Sequence, residues 1–320
     1  MSFLTYFLIV IQQIALFLLY AAIGVICAKT HILTRENIGV LSKLVVRIAL
    51  PLYIFTNTIN GTTRADFSSS WNIILLTLVL YVFAYLIAAG LAKAFRLQGN
   101  RRQVYKACAM FGNIGFMAIP IVAALFPERG MLYIALFTIP DQLILWTVGV
   151  HLTTPVEGEH ALENQNWKTV GKKMGNPMNV AILLAVLLVL CNVHLPELLN
   201  TACTRIGQTA TPLAMIYLGA MFSFVDIPTY LKKPEFYADA VIKMVAAPIL
   251  FYLLLRALPF VTEEVAVTMS VLLSMPTMTT IAMQAEIHHS DSEYSTGMIF
   301  MTTLLSIFTI PAVCFVIGQI

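Results

Sequence analysis

Long uncharged apolar segments dominate the pattern of this 320-residue chain. A membrane-spanning helix needs about 20 mostly apolar residues. Seven segments of sufficient length contain no Asp, Glu, Lys or Arg: 1–28, 71–92, 107–127, 174–196, 206–225, 265–285 and 294–320. Three further apolar segments carry isolated charges: 36–60, 129–151 and 236–258. The pattern therefore predicts an all-α membrane protein with ten transmembrane helices.

The composition agrees with a membrane protein. Hydrophobic residues make up 59% of the chain and charged residues 11%, whereas a soluble domain has about 45–50% and 25%. The five cysteines are scattered singly through apolar segments, and their spacing suggests neither a metal site nor a disulfide framework. We expect no cofactor, no bound metal and no nucleic-acid partner, and a lipid bilayer around the protein.

The basic residues predict the orientation in the membrane. If the N-terminus lies outside, 13 of the 19 Lys and Arg residues fall at the odd-numbered loops and four at the even-numbered ones. Loops rich in Lys and Arg face the cytoplasm. We therefore expect a multi-pass protein of the cell membrane with both termini outside the cytoplasm.

A repeat of half the chain length predicts the domain organisation. The strings Ala-Leu-Pro-Leu-Tyr around Pro51 and Ala-Thr-Pro-Leu-Ala around Pro212 lie 161 residues apart in the second and seventh spans. Because each half holds five spans, an odd number, the two halves enter the membrane with opposite polarity and form an inverted repeat. We assign 1–153 to the first repeat, 154–173 to a cytoplasmic connecting loop and 174–320 to the second repeat.

The fourth and ninth spans carry helix breakers near their centres. The fourth reads Gly-Asn-Ile-Gly-Phe-Met-Ala-Ile-Pro from Gly112 to Pro120, and the ninth reads Ser-Met-Pro-Thr-Met-Thr-Thr from Ser274 to Thr280. Unwound backbone at membrane depth is tolerated only where it is buried in protein or lines a watery cavity. Interrupted helices in corresponding positions of two repeats indicate the binding site of a secondary transporter. The N-terminus of a half-helix can hold an anion without a basic side chain.

The residues of these two breaks, with one arginine, are the predicted substrate-binding set. The set is Gly112, Asn113, Gly115, Ser274, Pro276, Thr277, Thr279, Thr280 and Arg47. The alternative for the hydroxyl and amide side chains is that they join neighbouring helices by hydrogen bonds, and the alternative for Arg47 is an anchor near the membrane surface. Pro51, Pro120 and Pro212 are predicted kinks or hinges.

Besides Arg47, three charged residues inside predicted spans need an explanation. A carboxylate within the membrane is costly, and it is a functional candidate by default. Asp141 in the fifth span is therefore a candidate for proton coupling, with a role in helix packing as the alternative. Asp239 and Lys243 in the eighth span are four residues apart, and this spacing favours a structural ion pair.

The residues of the two breaks resemble those of the auxin efflux carrier family, which includes plant auxin exporters and bacterial permeases for malate and related carboxylates. The fourth-span run from Gly112-Asn113-Ile114 to Pro120 matches the family's Pro-Asn-Thr crossover at the asparagine, and Pro276 matches the ninth-span proline. The long cytoplasmic loop of many plant members is absent, as in compact bacterial members. The resemblance implies two inverted five-helix repeats whose fourth and ninth helices cross at a central site. It also implies a moving transport unit on a scaffold, small organic anions as substrates, a homodimer and a bacterial inner membrane.

We therefore expect a secondary active transporter that moves small organic anions, such as malate or auxin-like acids, by alternating access. Protons or sodium ions are the candidate coupling ions, and no enzymatic activity is expected. One alternative is a sodium-coupled symporter of the bile-acid type, which would need carboxylate and amide ligands for sodium near the crossing. A membrane-embedded enzyme is an alternative of another class, and it would need clustered His or Asp side chains at membrane depth.

Overall fold

The computed structural model describes residues 3–65, 71–126, 129–157 and 177–320. Helices form the regular secondary structure of these residues, and we number them in chain order. They are α1 (Phe3–Lys29), α2 (Ile38–Gly61), α3 (Trp71–Ala94), α4 (Gly99–Met110), α5 (Ile119–Leu125), α6 (Leu132–Thr153), α7 (Pro177–Leu190), α8 (Glu197–Gln208), α9 (Ala210–Phe224), α10 (Ile227–Leu231), α11 (Pro234–Arg256), α12 (Glu263–Leu273), α13 (Thr279–Ile287) and α14 (Ser292–Ile317). Most of the predicted connecting loop, residues 158–173, lies outside the described residues.

Five helices of the described residues are long and apolar enough to cross a membrane: α2, α3, α6, α11 and α14. α7 and the second part of α1, Leu18–Lys29, are shorter apolar helices. The predicted fourth, seventh and ninth spans are each divided in two, as α4 with α5, α8 with α9, and α12 with α13. The protein is therefore helical and carries several membrane-type helices, whereas the ten-span inverted repeat remains a prediction.

π-helical turns precede three of the prolines within apolar helices. These turns are Val45–Ala49, Ile114–Ala118 and Ile242–Ala246, and in each case a proline follows two residues after the turn, at Pro51, Pro120 and Pro248. Proline has no N–H and its ring collides with the carbonyl of the preceding turn. The wider π turn moves that carbonyl away from the ring, so the helix continues where a straight α-helix would clash. At Pro212 the interruption differs, because a turn at Thr209 separates α8 from α9.

The helices pack as two groups. In one group α1 packs along α9, and α2 packs against α7 and α8. In the other group α3 contacts α4 and α6, α11 contacts α12 and α14, and α13 contacts α14. The two groups meet where α1 packs on α14 and where the first part of α2 packs on α13. The broken fourth and ninth spans therefore belong to one packed unit, against which α1 and α2 are placed.

The contact between α1 and α9 depends on two glycines. A Cβ atom on Gly219 would lie 2.0 Å from the carbonyl oxygen of Ala21, and one on Gly24 would lie 2.1 Å from the carbonyl oxygen of Ile216. Both obstacles are backbone atoms, which cannot rotate away. Small residues let membrane helices approach closely enough for extensive van der Waals contact.

We predict that Gly219→Val lowers the stability of the detergent-solubilised protein by more than the about 1–3 kcal/mol usual for overpacking, because two backbones must separate. Thermal unfolding followed by size-exclusion chromatography measures the effect. Gly39→Val is the matched control, since a Cβ atom on Gly39 has no neighbour within 4 Å. Equal unfolding temperatures for the two variants would contradict a backbone contact at Gly219.

Candidate functional site

The two predicted helix breaks lie side by side and pair through their backbones. The segment between α4 and the π turn at Ile114 runs antiparallel to the segment between α12 and α13, with Gly112 opposite Thr277. The N–H of Asn113 donates to the Pro276 carbonyl at 2.7 Å, and the N–H of Met278 donates to the Phe111 carbonyl at 3.0 Å. We call the segments Phe111–Asn113 and Met275–Met278 the crossover. Each break supplies the backbone partners that the other lost by leaving the helix.

Side chains from three neighbouring helices support the crossover. The Lys243 ammonium of α11 donates to the Met275 carbonyl. The hydroxyl oxygen of Thr302 in α14 accepts the N–H of Thr277 at 3.1 Å, and the Thr277 hydroxyl donates to the Cys108 carbonyl in α4 at 3.1 Å. The crossover is therefore held from the last turn of α4, from α11 and from α14, and its backbone junction is buried.

Two polar side chains at the crossover are buried without a hydrogen-bond partner. Asn113 is 1% exposed and its amide nitrogen has no partner, and the hydroxyl of Thr279, the first residue of α13, is likewise buried and unpartnered. A buried polar group without a partner costs about 1–3 kcal/mol. Both groups can donate hydrogen bonds, so a ligand that accepts hydrogen bonds would satisfy them.

A cavity of about 380 Å³ adjoins the crossover, and we call it the crossover cavity. Met278, the last residue of the crossover, and Ile114, which follows Asn113, form part of the cavity wall. The other side of the cavity is built from α2, including Tyr53 and Asn57, and from α6, including Asp141. Asn113 and Thr277 do not line it. In this conformation the polar groups of the crossover therefore lie just behind the cavity wall.

A second cavity, of about 240 Å³, lies between α2, α6, α7 and α13, and we call it the Arg47 cavity. Arg47, Trp146 and Gln284 line it. One turn of α6 separates the Arg47 cavity from the crossover cavity, since Trp146 lines the first and Gln142 lines the second. The two side chains are joined by a hydrogen bond of 3.1 Å from the Trp146 indole N–H to the Gln142 side-chain oxygen. The structure thus places Arg47 away from the crossover, although it was grouped with the crossover residues in the sequence analysis.

Asp141 is fully buried and both of its oxygens accept hydrogen bonds. The Tyr81 hydroxyl donates to one oxygen, and the Gln142 amide donates to the other at 2.7 Å. The carboxylate therefore belongs to a chain of polar groups that runs from α3 through Gln142 to Trp146. Its role in proton coupling stays a prediction.

The remaining predicted site residues occupy less open positions. The Ser274 hydroxyl donates to the Val271 carbonyl at 2.7 Å within its own helix end, and Thr280 is buried in the first turn of α13. Gly115 lies in the π turn that follows the crossover, and Pro120 is the second residue of α5. These residues shape the two helix ends next to the crossover.

Asp239 and Lys243, predicted to pair, interact electrostatically but share no hydrogen bond in this conformation. Lys243 donates to the Met275 carbonyl, and neither carboxylate oxygen of Asp239 has a hydrogen-bond partner. The spacing of four residues allows the pair, but the orphan carbonyl beside Pro276 competes for the ammonium. Sequence reasoning also missed Thr302, whose only signal was a hydroxyl in an apolar span.

Comparison with known proteins finds a family of membrane transport proteins. A family model described as "Membrane transport protein" matches residues 9–314. A protein of Methanothermobacter thermautotrophicus named "Uncharacterized transporter" is 24% identical over 307 residues, which cover 92% of this chain and 94% of that protein. A "Putative malonate transporter" of Rhizobium meliloti is 24% identical over 296 residues, which cover 88% of each chain. A further uncharacterized transporter, from Methanocaldococcus jannaschii, is 22% identical over 95% of this chain and 97% of its own length.

Proposed function

Because this chain belongs to the membrane transport protein family, as its resemblance to the auxin efflux carriers predicted, we propose that it is a secondary transporter of small organic anions. The observation that carries the substrate class is the pair of unpartnered buried donors at the crossover, on Asn113 and Thr279. An anion accepts hydrogen bonds and gains from the free N–H groups at the start of α13. The Lys243 ammonium adds a positive charge behind the same backbone.

Alternating access provides the transport step in this proposal. The anion enters the crossover cavity, and a small displacement of the cavity wall at Ile114 and Met278 brings it to Asn113. The unit that contains α3 to α6 and α11 to α14 then shifts against the group formed by α1, α2 and α7 to α9. The Arg47 cavity, one helical turn away along α6, is the exit on the other side. A dimer would hold the static group in place, and it remains a prediction.

Small dicarboxylates are the first substrates to test, since the Rhizobium meliloti relative is named as a malonate transporter. The purified protein in liposomes is expected to take up at least one anion among malonate, succinate, malate and indole-3-acetate. Uptake is measured with radiolabelled anion under an imposed proton gradient, a sodium gradient or neither. Protein-free liposomes and liposomes with Asn113→Ala are the controls. Uptake that matches protein-free liposomes for all four anions would overturn the substrate class, and uptake that needs sodium would favour the bile-acid type of coupling.

A further inference from the structure

Two charged side chains on α11 are buried beside the crossover, and the transport step described above gives only one of them a role. Asp239 is 0% exposed and Lys243 is 1% exposed. Burying an ionised group is costly unless an opposite charge or several hydrogen bonds compensate it. Lys243 obtains a hydrogen bond from the Met275 carbonyl. Asp239 obtains none on either oxygen.

The position of Lys243 connects this charge pair to the proposed anion site. Its ammonium donates to the carbonyl of Met275, and the carbonyl of the next residue, Pro276, accepts the N–H of Asn113. Asn113 also carries an unpartnered amide nitrogen. The charge on Lys243 is therefore separated from the crossover amide by a single stretch of backbone, and little water intervenes to screen it.

Asp239 differs from Asp141, a buried carboxylate of the membrane-type helix α6. Asp141 accepts two hydrogen bonds, which stabilise its ionised form. Asp239 lacks such donors, so a bound proton removes most of the cost of its burial. The hydrogen bonds thus favour the ionised form of Asp141, whereas no hydrogen bond stabilises an ionised Asp239.

The groups that face Asp239 do not offer it a hydrogen bond. Tyr105 and Cys108 of α4 lie close enough to interact with it electrostatically. On α14, the Tyr294 hydroxyl donates to Glu235 at 3.1 Å, and Asp291 pairs with Arg101. On α3, Tyr81 donates to Asp141, the Tyr85 ring lies under the Lys106 ammonium of α4, and Lys93 is exposed at the helix end. Lys243 is therefore the cation on which Asp239 acts.

We propose that Asp239 binds one proton together with each anion, so that the protein carries an anion and a proton across the membrane in the same step. This inference rests on the proposed function. When Asp239 is ionised, it cancels the charge of Lys243. When a proton from the water on one side binds to a carboxylate oxygen of Asp239, the positive charge of Lys243 is left uncompensated beside the crossover and attracts the anion. Release of both on the other side returns Asp239 to its ionised form.

The test is the pH dependence of anion affinity in the full-length protein. Binding of malonate is measured between pH 7 and 9, with succinate and malate as further probes. Ordinary carboxylates are fully ionised in this range, so the charge of the free anion does not change. Coupling to one proton predicts a dissociation constant that rises about tenfold per pH unit in the wild type. Asp239→Asn carries a permanently neutral side chain, and it should bind as tightly as the wild type at low pH with no pH dependence. Lys243→Gln should bind weakly at every pH.

Asp141→Asn is the competing variant, since Asp141 is the other candidate for proton binding. An affinity slope that persists in Asp239→Asn, or that disappears only in Asp141→Asn, would overturn the assignment to Asp239. A purely structural role of Asp239 predicts weaker binding at every pH instead of pH-independent tight binding. Binding that is independent of pH in the wild type would overturn this inference and leave the proposed function intact, whereas no binding of any anion would overturn both.

Proton uptake by the wild-type protein tests the same claim without a variant. Malonate added to protein in a weakly buffered solution with a pH indicator should withdraw about one proton for each anion bound. This readout applies even if Asp239→Asn fails to fold. Binding of malonate without proton uptake would contradict the inference.

Discussion

Gly112→Val is expected to abolish transport, with uptake at least about 100-fold below the wild type. A Cβ atom at this position would lie 2.9 Å from the Cβ of Met275 and 3.2 Å from the carbonyl oxygen of Leu272. Neither atom lies at the free end of a flexible side chain, so the two segments must move apart. The two backbone hydrogen bonds of the crossover, at 2.7 and 3.0 Å, would then lengthen or break. Proteoliposome uptake measures the effect, and Gly112→Ala should show an intermediate loss.

Gly90→Val is the matched control for this prediction. Gly90 is an exposed glycine of α3, and a Cβ atom there has no neighbour within 4 Å. Both variants should be compared at equal amounts of monodisperse protein, so that a folding defect is recognised by size-exclusion chromatography. Wild-type uptake by Gly112→Val would show that the close approach at Gly112 is dispensable for transport.

Asn113→Ala is expected to weaken anion binding about 10- to 100-fold and to leave the fold intact. The amide nitrogen of Asn113 has no partner within the protein, so its removal leaves no protein group unsatisfied. A hydrogen bond to a charged group contributes about 1.5–3 kcal/mol, and each 1.4 kcal/mol corresponds to a factor of about ten in affinity. Isothermal titration or thermal-shift titration with the transported anion gives the dissociation constant.

Asn179→Ala provides the comparison for Asn113. Asn179 is a similarly buried amide, 3% exposed, in α7, and it lines neither cavity. Its replacement should leave anion affinity within about twofold of the wild type, since the residue is remote from the crossover. Equal affinities of Asn113→Ala and the wild type would remove Asn113 from the anion site.

The helix breaks could be predicted from local chemistry, but their form could not. Glycine and proline near Gly112 and Pro276 disfavour an α-helix wherever the chain runs. A break at membrane depth also requires a partner for its backbone groups. The sequence does not reveal that the partner is the other break, because the pairing joins residues 165 positions apart, Gly112 and Thr277.

The π turns, like the helix breaks, were only partly predictable from the sequence. A proline such as Pro51 predicts a disturbance of the helix that contains it. The chain could respond with a kink, a break or a wider turn, and the local sequence does not say which. The structure has a π turn at Val45–Ala49 before Pro51 and a separate helix start at Ala210 before the related Pro212.

By itself the sequence determined that this is a helical membrane protein, where its helices are interrupted, and that it resembles one transporter family. These properties follow from apolar run length, helix breakers and short motifs, all of which act over a few neighbouring residues. Only the tertiary structure decided that Lys243 binds the Met275 carbonyl and leaves Asp239 without a partner, and that Arg47 lies in a separate cavity. The physical reason is geometric, since a buried charge bonds only to the acceptors within its reach and only the fold places those acceptors.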